Sequence, residues 1–223
     1  MKARQCSKAQ RSSRKNTRRS ARSLVEVLRD FLTPALWKQA HQARRRTRKK
    51  ESSRWKVQPL VLMLLLIAWS HGDSQAERFE CAKAFCQVCL RKRRNPGRTV
   101  QGFQKALARL PVLVLRTVAA GVRRVLALRM GLHWLVEGFV PIGCDGSRVA
   151  CPRTPELEQR MGQAGKDKSA PTLWVTALVH LRSGLLWAWQ VGKGTASEQA
   201  HLLKLLTCLP PNSLIVTDAA YHG

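Results

Sequence analysis

Acidic residues are scarce in this sequence. Only 13 Asp and Glu side chains accompany 40 Lys and Arg in 223 residues, which gives a net charge of +27. A chain with so few carboxylates is poorly suited to a basic partner, and its excess of positive charge favours a polyanion. Nucleic acid is therefore the first partner to consider.

The positive charge is also unevenly distributed. Residues 1–54 carry 18 basic and 3 acidic side chains, residues 55–137 carry 14 and 4, and residues 138–223 carry 8 and 6. The corresponding net charges are +15, +10 and +2. A ribosomal or RNA-packaging protein would account for the charge but not for the near-neutral last third. The gradient predicts a DNA-binding front joined to a catalytic body.

Long apolar runs are also missing. The longest, Leu60 to Trp69, covers ten residues, about 15 Å as a helix, whereas a bilayer core is about 30 Å thick. Residues 1–22 are basic and lack the apolar segment of a secretory signal, so they are predicted to form a disordered arm. Seven cysteines, an odd number without such a signal, indicate reduced thiols. These features predict no membrane partner and a cytoplasmic, nucleoid-associated protein.

The first half of the chain has helical periodicity. Apolar spacing and breaks at proline and glycine predict helices within residues 24–32, from Ala35, over Leu60–Trp69, and near Gln75–Leu90, Val100–Leu110 and Leu113–Met130. Two basic clusters punctuate these helices, at Arg44–Lys50 and Arg91–Arg94. Such clusters often are solvated helix ends, but their density favours phosphate contact. The predicted DNA-binding residues are Arg44, Arg45, Arg46, Arg91, Arg93 and Arg94.

The second half alternates strand and helix signals. Phe139–Cys144 is predicted to form a strand ending at Asp145-Gly146, and a Pro-, Gly- and charge-rich connection spans residues 147–171. Residues 173–181 and 185–191 are predicted to pair as an antiparallel hairpin turning at Gly184. A capping box of Thr195 and Glu198 should start a helix that ends near Cys208, and a last strand covers Ser213–Thr217. The predicted order is β-β-β-α-β.

Two aspartates are predicted at equivalent places in this arrangement. Asp145 and Asp218 each follow an apolar strand, and small residues come directly after them. If the first and last strands pair in parallel, the two carboxylates project from one edge of the sheet, where open α/β sheets bind ligands. Close carboxylates favour a bridging Mg²⁺ or Mn²⁺ ion. The alternative is that each aspartate only caps a turn, and spacing does not decide between them.

Several segments together resemble the DDE transposase domain of bacterial insertion sequences of family four. They are Cys144–Arg148, Cys151–Thr154 with Glu156–Glu158, Trp174–Leu178 and Ile215–Tyr221, so the resemblance covers roughly residues 55–223. It implies metal-dependent DNA strand cleavage and transfer, double-stranded transposon ends as partner, and Asp145 and Asp218 as the first two catalytic metal ligands. It also implies an RNase H-like sheet over residues 136–223, behind a helical DNA-binding region over residues 23–135.

The resemblance is incomplete at one point. The family's third acid is a glutamate in a Tyr-Arg-Glu-Lys motif beyond the second aspartate, and this sequence ends five residues after Asp218. Glu156 and Glu158 follow the first strand, and Glu198 is expected to cap a helix. The sheet is therefore expected to be partial and the chain inactive alone. Its alternative function is that of a non-catalytic DNA-binding protein or transposition inhibitor, acting as a homodimer or by pairing with full-length transposase.

Two further patterns have structural explanations. Cys81, Cys86 and Cys89 have a spacing that also occurs in iron–sulfur proteins, but they lie in a helical pattern without a fourth ligand, so buried thiols are expected. Tryptophans 174, 187 and 189 have aromatic faces on which bases could stack, yet in a hairpin they are expected to pack within the fold.

Overall fold

The fold is a helical front followed by a mixed sheet. The computed structural model describes residues 23–47, 55–90, 97–161, 170–218 and 221. Two predicted features, the arm at residues 1–22 and the basic cluster at 91–94, lie outside the described residues. The front contains α1 (Leu24–Phe31), α2 (Pro34–Arg46), α3 (Val57–Trp69), α4 (Gln75–Cys89), α5 (Val100–Ala108) and α6 (Val112–Met130), and then a 3₁₀ turn (Gly131–Trp134).

The second half contains β1 (Val140–Ala150), α7 (Pro155–Met161), β2 (Thr172–His180), β3 (Leu185–Lys193), α8 (Glu198–Leu206) and β4 (Ser213–Val216). The predicted combination of a helical front and an α/β back half is confirmed. Among the described residues, no helix is both long and apolar enough to cross a bilayer.

Local capping explains where the front helices begin. The Ser23 and Ser74 hydroxyls accept from the amides of Glu26 and Glu77, whose carboxylates accept in return from the amides of the two serines. Thr33 caps α2 directly before Pro34, a residue that suits the first position of a helix. Each cap satisfies amides that have no partner within the helix, so these starts are determined by the local sequence.

The front is organised around α3, which is apolar on almost every side. Its buried residues include Leu60, Val61 and Met63, which explains why the longest apolar run is a core helix. Next to it Trp55, Phe79 and Phe103 pack with ring centroids 5.4 to 6.3 Å apart. Offset and edge-to-face contacts of this kind stabilise a core beyond the area that they bury.

The described strands form one four-stranded sheet in the order β3-β2-β1-β4. β2 is antiparallel to both β1 and β3, and β4 is parallel to β1. The predicted hairpin is confirmed, and Gly184 adopts a φ of 67° in its turn. The parallel pairing of the first and last strands is confirmed as well.

The connection predicted after the first strand is partly wrong. Residues 147–150 continue β1 because they pair with residues 172–175 of β2, and Pro155–Met161 forms the short helix α7. An Asp-Gly pair is a common turn signal, but here the long partner strand keeps the backbone extended. Strand length therefore followed from pairing rather than from the local sequence.

Helix α8 covers one face of the sheet. His201 and Leu205 are its buried residues, and His201 Nδ1 lies 3.0 Å from Thr176 Oγ1 on β2. The helix also packs closely against the backbone of β3 at Gly192, which has no side chain. A Cβ there would lie only 2.6 Å from His201 Nε2. The C-terminal part of α6 and the turn residue Trp134 complete this covered face.

The predicted capping box of α8 is wrong. Ser197, not Thr195, is the N-cap, and its hydroxyl accepts from the amide of Ala200. Its buried residues are His201 and Leu205, whereas Leu202 and Leu209 are half-buried and Leu206 is exposed. Contact with the sheet, rather than the number of leucines, decides which side of the helix is buried.

Candidate metal centre and nucleic-acid surface

The strand register relates the two predicted metal ligands. β1 and β4 pair from Val140 with Ser213 to Gly143 with Val216. The pairing ends there, two residues before Asp218, and only an extrapolated register would set Asp218 opposite Asp145. Adjacent strands lie about 4.8 Å apart, and side chains at matching positions of parallel strands point to the same face. Both aspartates are exposed.

Asp145 does not lie beyond the end of its strand, as the sequence predicted. It occupies the middle of β1, opposite Ala177 of β2, and its Oδ1 accepts a 2.8 Å hydrogen bond from the amide of Gly146. Because side chains alternate along a strand, Asp145 projects away from the face on which Cys144 is buried. Its carboxylate belongs to the sheet face that α8 does not cover.

A buried thiol lies directly beside the aspartates. Burial raises the pKa of Cys144; the neighbouring Tyr221 hydroxyl partly offsets this, and the charges of Asp145, Glu198 and Asp218 raise the pKa further. The pKa of Tyr221 is itself raised, mainly by burial and then by Cys144. The three carboxylates thus lie near one point of β1, although not on one face.

Glu198 was predicted to cap a helix, but its side chain lies elsewhere. Its carboxylate does not cap α8 but approaches the backbone of β1, where a Cβ at Gly146 would lie 2.5 Å from its Oε1. The same Cβ would lie 3.0 Å from Trp174 Nε1, which is buried without a hydrogen-bond partner among the described residues. Gly146 leaves room for both groups, whereas a Cβ at this position would require the Glu198 carboxylate to move.

The alternation of β1 separates Glu198 from Asp145. Gly146 shares the covered face with Cys144, whereas Asp145 projects to the opposite side. Within the described part of the chain, no group of three or more His, Cys, Asp or Glu is arranged to hold a metal ion. Glu198 therefore does not complete a three-carboxylate site with the two aspartates in this structure. If the first strand had been predicted to continue through Gly146, the alternation of its side chains would have separated Asp145 from Glu198.

The donor chemistry of Asp145 and Asp218 nevertheless suits a small hard cation. Both offer carboxylate oxygens, and Mg²⁺ commonly binds through one or two protein carboxylates while water and substrate phosphates fill its other positions. Both side chains are exposed, which leaves space for such ligands.

The basic cluster on α2 divides into exposed and buried members. Arg45 and Arg46 are exposed at the end of the helix, whereas Arg44 is only 5% exposed. Arg44 follows Trp37 and Ala40 along the buried stripe of α2 at helical spacing. As placed, it is not accessible to a DNA phosphate, so Arg45 and Arg46 are the exposed candidates; Arg91, Arg93 and Arg94 lie outside the described residues.

Most of the cysteines of α4 and the tryptophans of the hairpin take part in packing within the fold. Cys86 is buried, which raises its pKa to about 12, whereas Cys89 is half-buried and Cys81 is exposed. Trp187 donates from Nε1 to the carbonyl of Cys208 at 2.9 Å. The Arg148 guanidinium lies 4.4 Å from the ring centroid of Trp174.

Comparisons with known proteins add no family, so a functional assignment depends on the residues described above. No family model, curated protein or solved structure matches the chain.

Proposed function

We propose that this chain is a fragment of a DDE-type transposase that binds DNA and holds a divalent metal ion between Asp145 and Asp218, and that the complete form performs metal-dependent strand cleavage and transfer. The observation that supports the proposal is the parallel pairing of β1 with β4, which ends two residues before the exposed Asp218 and, if extended, would set it opposite the exposed Asp145. Apart from α7, which lies between β1 and β2, the order β1, β2, β3, α8 and β4 agrees with the predicted β-β-β-α-β. On this basis we propose that the sheet is RNase H-like.

The roles of the chain's own residues follow from their positions. Asp145 and Asp218 would bind the cation and orient it toward a phosphodiester lying across the open face. A bound Mg²⁺ or Mn²⁺ ion supplies activation of a water or 3′-hydroxyl and stabilisation of the leaving oxygen. Arg45 and Arg46, exposed at the end of α2, would contact DNA phosphates. A chain bound in this way would be associated with the bacterial nucleoid.

DNA binding is tested by the salt dependence of affinity for a duplex oligonucleotide. The logarithm of the association constant should fall by about 0.9 per logarithmic unit of salt for every phosphate neutralised. The Arg45→Ala/Arg46→Ala double variant should reduce that slope by about 0.9 for each phosphate that is no longer neutralised. Lys38→Ala removes an exposed charge from the first half of the same helix and should change the slope less. Absent or salt-insensitive binding would contradict the proposal.

Catalysis is tested by nicking of a supercoiled plasmid with Mg²⁺ or Mn²⁺, together with calorimetric titration of Mn²⁺. Any nicking by the chain should be lost in Asp145→Ala and in Asp218→Ala, and each substitution should weaken Mn²⁺ binding. Asp73→Ala, at an exposed aspartate in the front, should do neither. Nicking that persists in both site variants would exclude this metal centre.

A second candidate is a DNA-binding protein without catalysis, such as a transposition inhibitor. The separation of Glu198 from Asp145 favours it, because no group of three or more potential metal ligands forms among the described residues. Such a protein would occupy transposon ends or pair with full-length transposase. Salt-dependent DNA binding without nicking would support this candidate over the first.

A further inference from the structure

Of the three tryptophans in the hairpin, Trp189 has a different position from the other two. Trp187 is fixed by its hydrogen bond to the carbonyl of Cys208, and Trp174 lies next to Gly146 on the sheet face that α8 covers. The residue before Trp189, an alanine, packs in the core beneath that covered face. Because side chains alternate along a strand, Trp189 projects to the opposite side.

The strand register places Trp189 in line with Asp145. Trp189 pairs with Ala177 of β2, and Ala177 pairs with Asp145 of β1. Directly paired residues point to the same face, so the ring and the carboxylate share the open face, the side of the sheet that α8 does not cover. Their backbones are two strand spacings apart, about 10 Å. In this row only the methyl group of Ala177 stands between them.

Apolar side chains flank the Trp189 ring on the same face. Leu186 and Val191, on either side of it along β3, are 41% and 44% exposed, and Trp189 itself is half-buried. A flat aromatic ring with exposed aliphatic neighbours suits a planar ligand. Nucleobases are such ligands, since every base has a π-face that can stack on an aromatic side chain.

A cation lies beside this ring. The Arg116 guanidinium of α6 is 5.8 Å from the Trp189 ring centroid. Arg116 is exposed, and no acidic side chain among the described residues forms a salt bridge with it. An aromatic ring with an adjacent cation is the combination that binds single-stranded nucleic acid, through a stacked base and its phosphate.

We propose that Trp189 stacks an unpaired DNA base on the open face of the sheet, with Arg116 on the phosphate of the same nucleotide. The inference rests on the proposed function, which brings a phosphodiester to Asp145 on this face. At about 3.4 Å of rise per nucleotide of a strand, the separation of about 10 Å sets the stacked base within about three nucleotides of that phosphodiester. Trp189 thus holds one strand in position beside the candidate metal ligand.

The test measures binding of the 223-residue chain to a single-stranded oligothymidylate by fluorescence anisotropy. Trp189→Ala should weaken binding about fivefold or more, as expected when one base loses its stacking partner. Trp189→Phe keeps an aromatic ring and should retain most of the affinity. The matched control is Trp69→Ala, which removes a 58% exposed ring from α3 and should leave binding unchanged.

An abasic oligonucleotide separates stacking from a structural effect of the substitution. It keeps the phosphates but has no bases, so the wild-type chain should bind it more weakly than oligothymidylate. Trp189→Ala should then cause no further loss, because the interaction that it removes is already absent. An equal loss from Trp189→Ala on both oligonucleotides would show that the ring acts only through the fold and would overturn the proposal.

The role of Arg116 is tested by the salt dependence of the same binding. Arg116→Ala should lower the salt slope by about 0.7, the single-strand value per phosphate. Arg124→Ala, at another exposed arginine of α6, should leave the slope unchanged. Equal decreases in the two variants would show a general charge effect and contradict a specific phosphate contact at Arg116.

Two failures are distinguishable. If the chain binds neither duplex nor single-stranded DNA, the proposed function fails. If it binds DNA but Trp189→Ala behaves like Trp69→Ala, or if an oligonucleotide with 5-iododeoxyuridine crosslinks outside β3, the base-stacking proposal alone is overturned.

Discussion

The helical front and the sheet bury their apolar residues in different ways. Of the described residues, twenty-two form the buried core of the front, from Leu28 to Val118, whereas six form that of the sheet, from Trp134 to Leu205. The sheet is covered on one face, and apolar residues such as Leu186, Leu214 and Val216 are exposed. The difference indicates that the front supplies most of the stability and that the sheet presents open surface to partners.

The difference between the two regions is tested most strongly at Phe79 in the front. Truncating this 1% exposed ring with Phe79→Ala should lower the free energy of unfolding by about 3–5 kcal/mol, because a large cavity opens among packed rings. Phe85→Ala, on the same helix but at a 47% exposed position, should change it by less than about 0.5 kcal/mol. Urea denaturation measures both, and equal decreases would refute the proposed front core.

In the sheet the corresponding pair is Leu178 and Leu186. Leu178 is fully buried on β2, and Leu186 is 41% exposed on β3. Leu178→Ala should cost about 2–5 kcal/mol, whereas Leu186→Ala should have an effect within about 0.5 kcal/mol. A large decrease in stability from Leu186→Ala in the same urea titration would show that the second face of the sheet is covered in solution.

A smaller effect is expected at the start of α8. Ser197→Ala removes the hydroxyl that accepts from the amide of Ala200 and should destabilise the protein by about 1 kcal/mol. Thr195→Ala, at the cap that the sequence favours, should leave the melting temperature nearly unchanged. The reverse order of the two thermal shifts would show that Thr195 is the cap in solution.

The last prediction concerns pH. Burial lowers the pKa values of His180 and His201, so the unfolded chain takes up protons first as pH falls. The stability contributed by these neutral histidines is complete above the unfolded pKa of about 6.5 and decreases below it. Unfolding free energies at pH 7.5 and 5.5 should show this decrease, reduced in His201→Gln but not in His133→Gln, an exposed control. An unchanged pH dependence in His201→Gln would contradict the prediction.

Local signals predicted much of the fold. The helix over residues 75–90 begins at its Ser74 cap as its periodicity indicates, and Gly184 turns the hairpin. These features depend on contacts between residues near each other in sequence. Residues at the candidate site were harder to predict: Asp145 and Gly146 resemble a turn, but the long β2 partner keeps them within a strand.

Arg44 and Glu198 show the same limit. A basic run predicts charge at the surface, yet the helical stripe that includes Trp37 and Ala40 carries Arg44 into the interior. The Ser/Thr and Glu pattern predicts a capping box, yet Glu198 meets the bare backbone at Gly146, more than fifty residues away in sequence. Neither position could be inferred without knowing which elements pack together.

The sequence by itself determined the basic front, the helix starts and the hairpin, because net charge, capping and turn geometry depend on nearby residues. Tertiary structure alone decided that Asp145 faces away from Glu198 and that Trp189 shares a sheet face with Asp145. Alternation tells which residues of a strand share a side, but only the docking of α6 and α8 decides which side is covered.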